Sequence, residues 1–506
     1  MENKIPMVSL KDITKTFGSV IANEKVSIDI YPGEILALLG ENGSGKTTLM
    51  NMLCGIYFPD EGHIFINGKE TIIRTPKDAH TLGIGMVHQH FKLIDVLSAT
   101  ENIILGMEGK LNMKAATNKI HEICNKYGFN VDPNQKIYDM SVSQKQTVEI
   151  VKLLYRGADI LILDEPTAVL TPQETEKLFN VLRNMRNDGK AIVIITHKMH
   201  EVESLSDRVA VLRKGRYIGE MLTKDTNAEE MTNMMVGRQV ELNIVRPEPV
   251  NPKPRIEIKG LTVRSIDGIV KLNDVSFTAN SGEVLGIAGI SGCGQKELLE
   301  AIAGLQPTEA GSISYIDDNG VRDELIGKDP RKIFDMGVTL SFVPEDRLGM
   351  GLVGNMDISN NMMLRSFRKG RSIFTDRKSP KELAKSVVSE LKVVTPDINT
   401  PVRRLSGGNV QKVLVGREIA LAPKVLLTAY AVRGLDINSA YTIYDLITSQ
   451  KKQGVAVIYV GEDLDVLLEI SDRILVLCGG EISGIVDGRT ADKNTVGMMM
   501  TRIGGK

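Results

Sequence analysis

The sequence repeats itself, and this repetition constrains the fold more than any other feature. YPGEILALLG at 31–40 returns as NSGEVLGIAG at 280–289, an offset of 249 residues. SDRVAVL at 206–212 returns as SDRILVL at 471–477, an offset of 265 residues. The chain of 506 residues therefore predicts two copies of one unit, the second with extra residues inserted between the two matches.

A proline-rich stretch, RPEPVNPKP at 246–254, lies between the copies and favours an extended linker. We therefore predict domains at 1–245 and 255–506. Within each copy, short Val/Ile/Leu runs such as ILALL at 35–39 alternate with longer helical patterns, which predicts an α/β fold with buried parallel strands. Residues 95–140 break this alternation and indicate an inserted helical subdomain.

Charge and hydropathy exclude several classes of protein. The chain has 62 basic and 63 acidic residues, whereas a protein that coats nucleic acid carries a basic excess. No apolar run approaches the ~18 residues of a membrane span, and the start MENKIPMVSLKDITK lacks the apolar region of a secretory signal. The four cysteines are far apart and fit no metal spacing, so we expect a cytoplasmic protein with reduced cysteines.

The segment GENGSGKT at 40–47 matches GxxxxGK[ST] between a predicted strand and a predicted helix. Its glycines let backbone N–H groups turn towards phosphate oxygens, and the helix N-terminus adds its positive dipole end. Lys46 is expected to reach the β and γ phosphates of a nucleotide, and Thr47 to ligate Mg²⁺. The predicted nucleotide-binding residues of this segment are Gly40, Asn42, Gly43, Ser44, Gly45, Lys46, Thr47 and Thr48.

LILDEP at 161–166 is a predicted strand that ends in two carboxylates. Asp164 is expected to hold Mg²⁺, as in other phosphate-loop NTPases, and Glu165 to polarise the attacking water. Two acids at a strand end are by themselves equally consistent with an ordinary polar strand end. Together with the segment at 40–47 they indicate a nucleotide hydrolase.

Three further positions make the sequence resemble the ATP-binding-cassette (ABC) ATPases. Gln89 in MVHQHF precedes the inserted helical stretch, SVSQ at 141–144 comes 20 residues before Asp164, and His197 in IITHKMHE follows a later strand. In that family these positions are a glutamine that contacts metal and water, the signature segment, and a switch histidine that contacts the γ-phosphate.

The resemblance implies ATP and Mg²⁺ as ligands and an ATPase activity. For each copy it implies an α/β phosphate-loop core with an antiparallel β region and an inserted helical subdomain. The implied catalytic residues are Gln89, Glu165 and His197. The implied metal ligands are Thr47, Gln89 and Asp164. Phe17 stands where the family stacks an aromatic ring on adenine, and a core aromatic is the alternative interpretation of this residue.

The second copy departs from the family pattern at nearly every position that handles phosphate. The replacements are Gln295 for Lys46, Lys296 for Thr47, Ala429 for Asp164, Tyr430 for Glu165, Glu345 for Gln89 and Gly461 for His197. Lysine cannot ligate Mg²⁺ as threonine does, and no carboxylate remains for metal or water. We therefore expect no ATP hydrolysis by the usual route in this copy.

The signature segment shows the reverse asymmetry. The second copy has LSGGN at 405–409, close to the family's LSGGQ, whereas the first has MSVSQ at 140–144 with Ser143 at a glycine position. Only the second copy has RGLD, with Asp436. ABC cassettes pair head to tail, so the intact parts fall on one composite site, within one chain or between two chains. The residues that the second copy would contribute to ATP binding are Ser406, Gly407 and Gly408.

Tandem cassettes with a degenerate second loop resemble the ATP-binding subunits of bacterial importers for ribose, galactose or xylose and their nucleoside-importing relatives. The resemblance covers essentially the whole chain. Stretches such as 86–106, 154–174 and 288–298 are closer to the purine-nucleoside branch. One departure is Ala431-Val432, directly before RGLD, where relatives commonly keep Pro-Thr.

The resemblance implies a subunit that couples ATP binding and hydrolysis to nucleoside uptake, with sugar uptake as the alternative. It implies two transmembrane permease partners, an indirect extracytoplasmic solute-binding protein, no nucleic acid, and a place on the cytoplasmic face of the membrane. The segment Phe91–Asn102 would pass motion to the permease, or is an ordinary surface loop. A tandem-cassette ATPase acting on ribosomes or DNA is a distant alternative, because the linker is short and the net charge is −1.

Overall fold

Two sheets, one antiparallel and one mainly parallel, form the frame of each half of the chain. The chain divides into a first unit, Met1–Glu241, and a second unit, Leu242–Lys506. The computed structural model describes residues 5–18, 20–88, 91–107, 112–167, 170–196, 198–237, 244, 246–265, 268–290, 292–335, 340–344, 346–367, 375–433, 435–461 and 463–501.

The strands of the first unit are β1 (Val8–Phe17), β2 (Val20–Ile30), β3 (Ile35–Leu39), β4 (Glu61–Ile66), β5 (Lys69–Glu70), β6 (Ile84–Val87), β7 (Ile160–Asp164), β8 (Ala191–Ile195), β9 (Arg208–Arg213) and β10 (Arg216–Leu222). They form an antiparallel sheet in the order β2-β1-β4-β5 and a second sheet in the order β10-β9-β3-β8-β7-β6. In the second sheet only β10 pairs antiparallel. Strands β3, β7 and β8 are buried at every position, as expected for parallel strands covered on both faces.

The helices of the first unit are α1 (Lys46–Leu53), α2 (Pro76–Thr81), α3 (Ala99–Ile104), α4 (Met113–Tyr127), α5 (Val142–Tyr155), α6 (Pro172–Asn187), α7 (Met199–Leu205) and α8 (Ala228–Val236). Helices α3, α4 and α5 pack around their own cluster of buried residues, which includes Ile103, Ile120 and Val148. The predicted helical insertion is therefore confirmed for the described residues.

The strands of the second unit are β11 (Pro254–Arg264), β12 (Val270–Asn280), β13 (Val284–Gly289), β14 (Ala310–Ile316), β15 (Arg322–Glu324), β16 (Leu340–Val343), β17 (Val425–Ala429), β18 (Ala456–Val460), β19 (Arg473–Cys478) and β20 (Glu481–Asp487). Its helices are α9 (Gln295–Ile302), α10 (Pro330–Asp335), α11 (Ile358–Met363), α12 (Lys378–Glu390), α13 (Gly407–Ile419), α14 (Ile437–Lys452), α15 (Leu464–Ile470) and α16 (Lys493–Thr501). The strand orders, β12-β11-β14-β15 and β16-β17-β18-β13-β19-β20, repeat those of the first unit. The duplicated α/β architecture predicted from the sequence repeats is confirmed.

The first residues of the proline-rich stretch lie within the second unit and form hydrogen bonds to other parts of it. The guanidinium of Arg246 donates to the carbonyl oxygen of Leu468 at 2.7 Å, and the buried Lys451 ammonium donates to the carbonyl oxygen of Pro247 at 2.5 Å. Lys451 also pairs with the buried Asp472. These bonds hold the start of the stretch against other parts of the second unit.

Within the described ranges, none of the helices combines the length and the apolar character needed to cross a bilayer.

Candidate nucleotide site

The segment that leaves β3 turns tightly at two glycines before α1 begins. Gly45 has a φ of 94°, and a Cβ atom there would lie 2.2 Å from the carbonyl oxygen of Ala22. A Cβ atom on Gly40 would lie 2.3 Å from the carbonyl oxygen of Leu212. No side chain fits at either position, so glycine is required for the loop to close around the start of α1.

Lys46 is buried at the first position of α1. Its ammonium donates hydrogen bonds to the carbonyl oxygens of Gly40 at 2.7 Å and Glu41 at 3.0 Å. Burial lowers the pKa of Lys46, and the carboxylates of Glu165 and Asp164 oppose that shift. A buried cation bound to neutral carbonyl groups gains most from an anionic ligand, because its own charge is poorly compensated by the loop.

Ser44 supplies an independent sign of a ligand in this loop. Its side chain is 3% exposed, and its Oγ has no hydrogen-bond partner among the residues that the structure describes. A buried hydroxyl without a partner costs about 1–3 kcal/mol. A phosphate oxygen would supply the missing acceptor, so the loop fits a polyphosphate. Asn42 and Gly43 are exposed at the tip of the same loop.

The predicted metal ligands Thr47 and Asp164 lie together. The Thr47 hydroxyl donates to the Asp164 carboxylate at 3.0 Å, from α1 to the end of β7. Burial raises the pKa of Asp164, as does Glu165, while the Thr47 hydroxyl and Lys46 oppose the shift. Hydroxyl and carboxylate oxygens are the hard ligands that Mg²⁺ prefers, so these two residues fit the ion. Gln89, the third predicted ligand, lies outside the described residues.

Glu165 adopts an unusual backbone conformation directly after β7. Its φ is 47°, in the left-handed region that side chains other than glycine seldom occupy, and its N–H donates to the carbonyl oxygen of Ile195 at 2.9 Å. Strained residues of this kind concentrate at functional sites, where surrounding structure holds them in place. The half-buried Glu165 is thus placed next to Asp164 by the sheet itself.

A buried carboxylate holds the loops on both sides of the predicted switch histidine. Glu201 accepts hydrogen bonds from the hydroxyls of Thr167 at 2.5 Å and Thr196 at 3.3 Å, and the ammonium of Lys198 lies 3.2 Å from it. Thr196 and Lys198 flank His197, which itself lies outside the described residues. Sequence reasoning missed Glu201, whose only signal was its position four residues after His197.

Phe17, at the end of β1, is 43% exposed and is therefore not a core aromatic. It meets Tyr57 edge to face with ring centroids 5.1 Å apart, and the Lys15 ammonium lies 5.6 Å from its ring. The strand end is held by Asp60, which accepts from Lys15 at 2.7 Å and from the backbone of Thr16 at 2.7 Å. These bonds lower the pKa of Asp60 to about 2. The ring of Phe17 is open to stack on a base.

The predicted coupling segment Phe91–Asn102 is held at two points. The buried Asn102 accepts from the backbone N–H of Ile94 at 2.8 Å and donates to its carbonyl oxygen at 3.0 Å. The buried Glu149 of α5 accepts from the backbone N–H of Lys92 at 2.6 Å. The segment is therefore fastened to the helical insertion.

The loop of the second unit has the same glycine turn before its helix, but different side chains stand at the positions of Lys46 and Thr47. Gln295 is buried where Lys46 stands, and its amide donates to the carbonyl oxygen of Ile290 at 3.2 Å without a charge. Lys296 is exposed and lies 3.8 Å from Glu300. A cavity of about 270 Å³ beside it is lined by residues that include Lys296, Glu300, Asp346 and Ala429. Neither a threonine nor the strand-end carboxylate is present there, so these residues do not fit Mg²⁺ bound to a triphosphate.

The end of β17 repeats the geometry of β7 without its acids. Tyr430 has a φ of 50° and donates its N–H to Val460, as Glu165 does to the equivalent residue of β8. Ala429 takes the place of Asp164. The pairing of Gly461 with His197 was wrong by one position. Three residues separate β8 from α7 and β18 from α15, which puts Glu462, outside the described residues, at the histidine position.

The two signature segments differ in how their serines are used. Ser141 caps α5 by accepting from the N–H of Gln144, whose side chain accepts from the Ser141 N–H in return. Ser406 forms no such cap, and its hydroxyl accepts instead from the side chain of Asn409 at 2.9 Å. Val142 and Ser143 of the first unit occupy the positions of Gly407 and Gly408 in the second. The start of α13 is thus exposed and has no side-chain cap.

Asp436 of RGLD caps the next helix. Its carboxylate accepts from the N–H of Ser439 at 2.9 Å and from its hydroxyl at 2.7 Å, at the start of α14. Thr171 does the same for α6 in the first unit, with Glu174 completing a capping box. The unusual Ala431-Val432 before RGLD therefore leaves the following helix start in place.

The chain is similar to known proteins over most of its length. The model of the ABC transporter family matches residues 23–168 and 272–428, more than half of the chain. The chain is 41% identical to "Nucleoside import ATP-binding protein NupA" of Lactococcus lactis subsp. cremoris, covering 98% of both chains. It is 39% identical to "Guanosine import ATP-binding protein NupO" of Bacillus subtilis, covering 98% of this chain and 97% of the relative.

A sugar-importing relative is similar over the same length. The chain is 36% identical to "Ribose import ATP-binding protein RbsA 1" of Streptomyces avermitilis, covering 98% of this chain and 94% of the relative. The first matched stretch contains the phosphate loop together with Asp164 and Glu165, and the second contains the degenerate loop and ends one residue before Ala429. The chain therefore belongs to the ABC transporter family and carries two of its ATP-binding cassettes.

Proposed function

We propose that the protein is the ATP-hydrolysing subunit of a membrane importer and that it drives the uptake of nucleosides. The observation that carries this proposal is the Thr47–Asp164 pair beside the buried Lys46, in a chain whose relatives over nearly its full length include nucleoside and guanosine import ATP-binding proteins. Ribose import is the second candidate, because the 36% identical relative carries that name over nearly the same length.

In the first unit, Lys46, Ser44 and the loop N–H groups bind the phosphates of ATP, and Phe17 stacks on its base. Thr47, Asp164 and Gln89 would hold Mg²⁺, which would offset the charge of the phosphates. Glu165 accepts a proton from the attacking water, and His197 binds the γ-phosphate. The strained backbone of Glu165 and the hydrogen bonds to the buried Glu201 support this assignment, because both fix the loops that carry these groups.

We also propose that the signature of the second unit, with Ser406, Gly407 and Gly408, completes the ATP site of the first, within one chain or between two chains. Its exposed and uncapped helix start offers free N–H groups to the γ-phosphate. The equivalent helix start of the first unit is capped by its own Ser141. One active site for each pair of cassettes follows, because the other composite site lacks both parts.

The importer would contain two transmembrane permease subunits, with a solute-binding protein outside the membrane and this subunit on its cytoplasmic face. The segment Phe91–Asn102 would contact a permease. Its neighbourhood supports this role, because Ile94 and Val96 are exposed apolar side chains on a segment that Asn102 and Glu149 hold to the helical insertion.

Uptake measurements test the proposal. The chain is purified with the permeases encoded beside its gene, reconstituted into vesicles with ATP at its own face, and supplied with labelled guanosine, adenosine or ribose. We expect ATP-dependent accumulation of nucleoside and none with the Glu165→Gln variant. If only ribose accumulates, the proposed solute is a sugar and not a nucleoside. Equal uptake by wild type and Glu165→Gln vesicles would contradict the importer assignment altogether.

A further inference from the structure

A short turn in the second unit is joined to the signature and to the loop after β17. After β16, residues Arg347–Gly351 form one turn of π-helix. Asp346 starts this turn by accepting from the N–H groups of Leu348 at 3.3 Å and Gly349 at 2.8 Å. A Cβ atom on Gly349 would lie 1.9 Å from the Asp346 carboxylate, so a side chain there would displace the capping group. The turn is thus a defined structure in the place where the coupling segment of the first unit begins.

Arg347 reaches from this turn to two other loops. Its guanidinium donates to the carbonyl oxygen of Gly407, the first residue of α13, at 3.3 Å, and also to the carbonyl oxygen of Arg433. Gly407 belongs to the LSGGN signature, and Arg433 opens RGLD. A single half-buried side chain therefore joins the segment after β16, the signature and the loop after β17.

The signature helix holds the same turn from its other end. The buried Arg417 of α13 donates to the carbonyl oxygen of Gly351 at 2.7 Å. Glu418, which is fully buried, accepts from Arg417 at 2.9 Å and from Arg365 at 2.9 Å. With contacts at both ends of the turn, α13 and the turn are expected to shift together.

The first unit ties the segment after β6 to its signature helix by other contacts: Glu149 of α5 accepts from the N–H of Lys92 at 2.6 Å, and Lys152 donates to the Lys92 carbonyl oxygen at 3.3 Å. Counting from the ends of β6 and β16, Phe91 occupies the position of Arg347, and its side chain has no hydrogen-bond donor. The signature start there is capped locally by Ser141 and Gln144. The link through Arg347 is therefore found in the unit whose signature is intact and whose own nucleotide loop is degenerate.

We propose that Arg347 is a positioning residue: it holds the LSGGN signature in register with the segment that follows β16, so that displacement of that segment moves the signature relative to bound ATP. This inference rests on the proposed role of the signature in completing the ATP site. Arg347 itself does not touch ATP. The guanidinium suits the task, because its planar, divergent donors can satisfy two carbonyl groups at once, whereas a lysine ammonium has no such fixed fork.

The test compares Arg347→Ala and Arg347→Lys in the full-length protein within its reconstituted complex. We expect kcat for ATP hydrolysis to fall about tenfold in Arg347→Ala, since displacing a catalytic group by about 1 Å can cost up to 10²-fold. Arg347→Lys should recover part of the rate. Affinity for a fluorescent ATP analogue should stay within twofold, because the phosphate loop of the first unit is untouched.

Arg473→Ala is the matched control. Arg473 also donates to a backbone carbonyl, that of Thr278 at 2.7 Å, and pairs with Glu283, in a region of the second unit away from its signature. This variant should lower the thermal midpoint and keep kcat within twofold. If Arg347→Ala also loses only thermal stability and keeps its kcat, the role of Arg347 is structural and the inference is overturned.

A signature variant separates this inference from the proposed function. Ser406→Arg places a bulky side chain at the exposed signature serine. If Ser406→Arg abolishes hydrolysis and Arg347→Ala leaves kcat unchanged, the composite site stands and only the role of Arg347 fails. If Ser406→Arg hydrolyses ATP at the wild-type rate, the composite site fails and the role of Arg347 fails with it.

Discussion

The loops of the two units begin their helices with one buried side chain each, Lys46 in the first and Gln295 in the second. Both side chains donate to carbonyl oxygens of their own loop, so the backbone needs only a donor of about this length. The positive charge adds nothing to the fold that the amide cannot supply. It is therefore the ligand, and not the loop, that requires a lysine at this position.

The strand ends that face these loops make the same point. Glu165 and Tyr430 share a left-handed φ and the same backbone hydrogen bond to the neighbouring strand. Only Glu165 carries a carboxylate that can accept a proton from water. The fold conserves the strained backbone in both units, whereas the carboxylate is kept in only one. Paired substitutions at equivalent positions can therefore separate catalysis from folding.

The largest effect is expected at Glu165. Glu165→Gln should lower the ATPase rate about 10³-fold, because the group that accepts the proton of the attacking water is removed. Tyr430→Phe, at the matching position of the second unit, should keep the wild-type rate. A phosphate-release assay on both variants checks the pair. Comparable rates for Glu165→Gln and wild type would overturn the catalytic assignment.

The signature serines give the next largest contrast. Ser406→Arg should lower the rate about 10²-fold, because a misplaced signature no longer stabilises charge on the phosphates. Ser141→Arg removes only a helix cap and should cost about 1 kcal/mol of stability. Steady-state hydrolysis and thermal unfolding measure the two effects. Greater loss of activity in Ser141→Arg than in Ser406→Arg would reverse the assignment of the intact signature.

Exchanging the buried loop residues should have a smaller effect, on affinity. Lys46→Gln should raise the KM for ATP about tenfold to hundredfold, as expected when a hydrogen bond to a charged group worth about 1.5–3 kcal/mol is lost. Gln295→Lys should restore no second hydrolytic site, since Ala429 and Tyr430 still lack carboxylates. The KM for ATP is measured for Lys46→Gln, and the rate of phosphate release per chain is measured for Gln295→Lys. A doubled turnover in Gln295→Lys would show that the second unit needs only the charge.

The smallest effect concerns stability. Burial raises the pKa of Asp164, so the ionised carboxylate destabilises the folded protein at pH values above that raised pKa. The destabilisation disappears at pH values below the ordinary pKa of aspartate, where the group is protonated in both the folded and the unfolded protein. Asp164→Asn should therefore raise the midpoint of the nucleotide-free protein at pH 7, by about 2–4 °C for each kcal/mol relieved. The gain should shrink as the pH falls towards 4. A gain that grows in acid would contradict the sign.

Much of the site was predictable because its signals are local. The spacing of Gly40, Gly45, Lys46 and Thr47 reflects a loop whose closure leaves no room for side chains. The predictions for Gln89 and His197 remain predictions, since both lie outside the described residues. The domain limits at 245 and 254 also remain predictions. The pairing of Gly461 with His197 failed because motif spacing alone leaves an uncertainty of one residue at a strand end.

The sequence by itself determined that the chain is a duplicated α/β protein and predicted one complete phosphate-handling set, because such motifs depend on residues a few positions apart. Tertiary structure decided which side chains fasten those motifs. Glu201 joins two strand ends, Asn102 holds the coupling segment, and Arg347 reaches a signature 60 residues away. Such contacts depend on strand order and on loops brought together by the sheet, and no local pattern of residues specifies them.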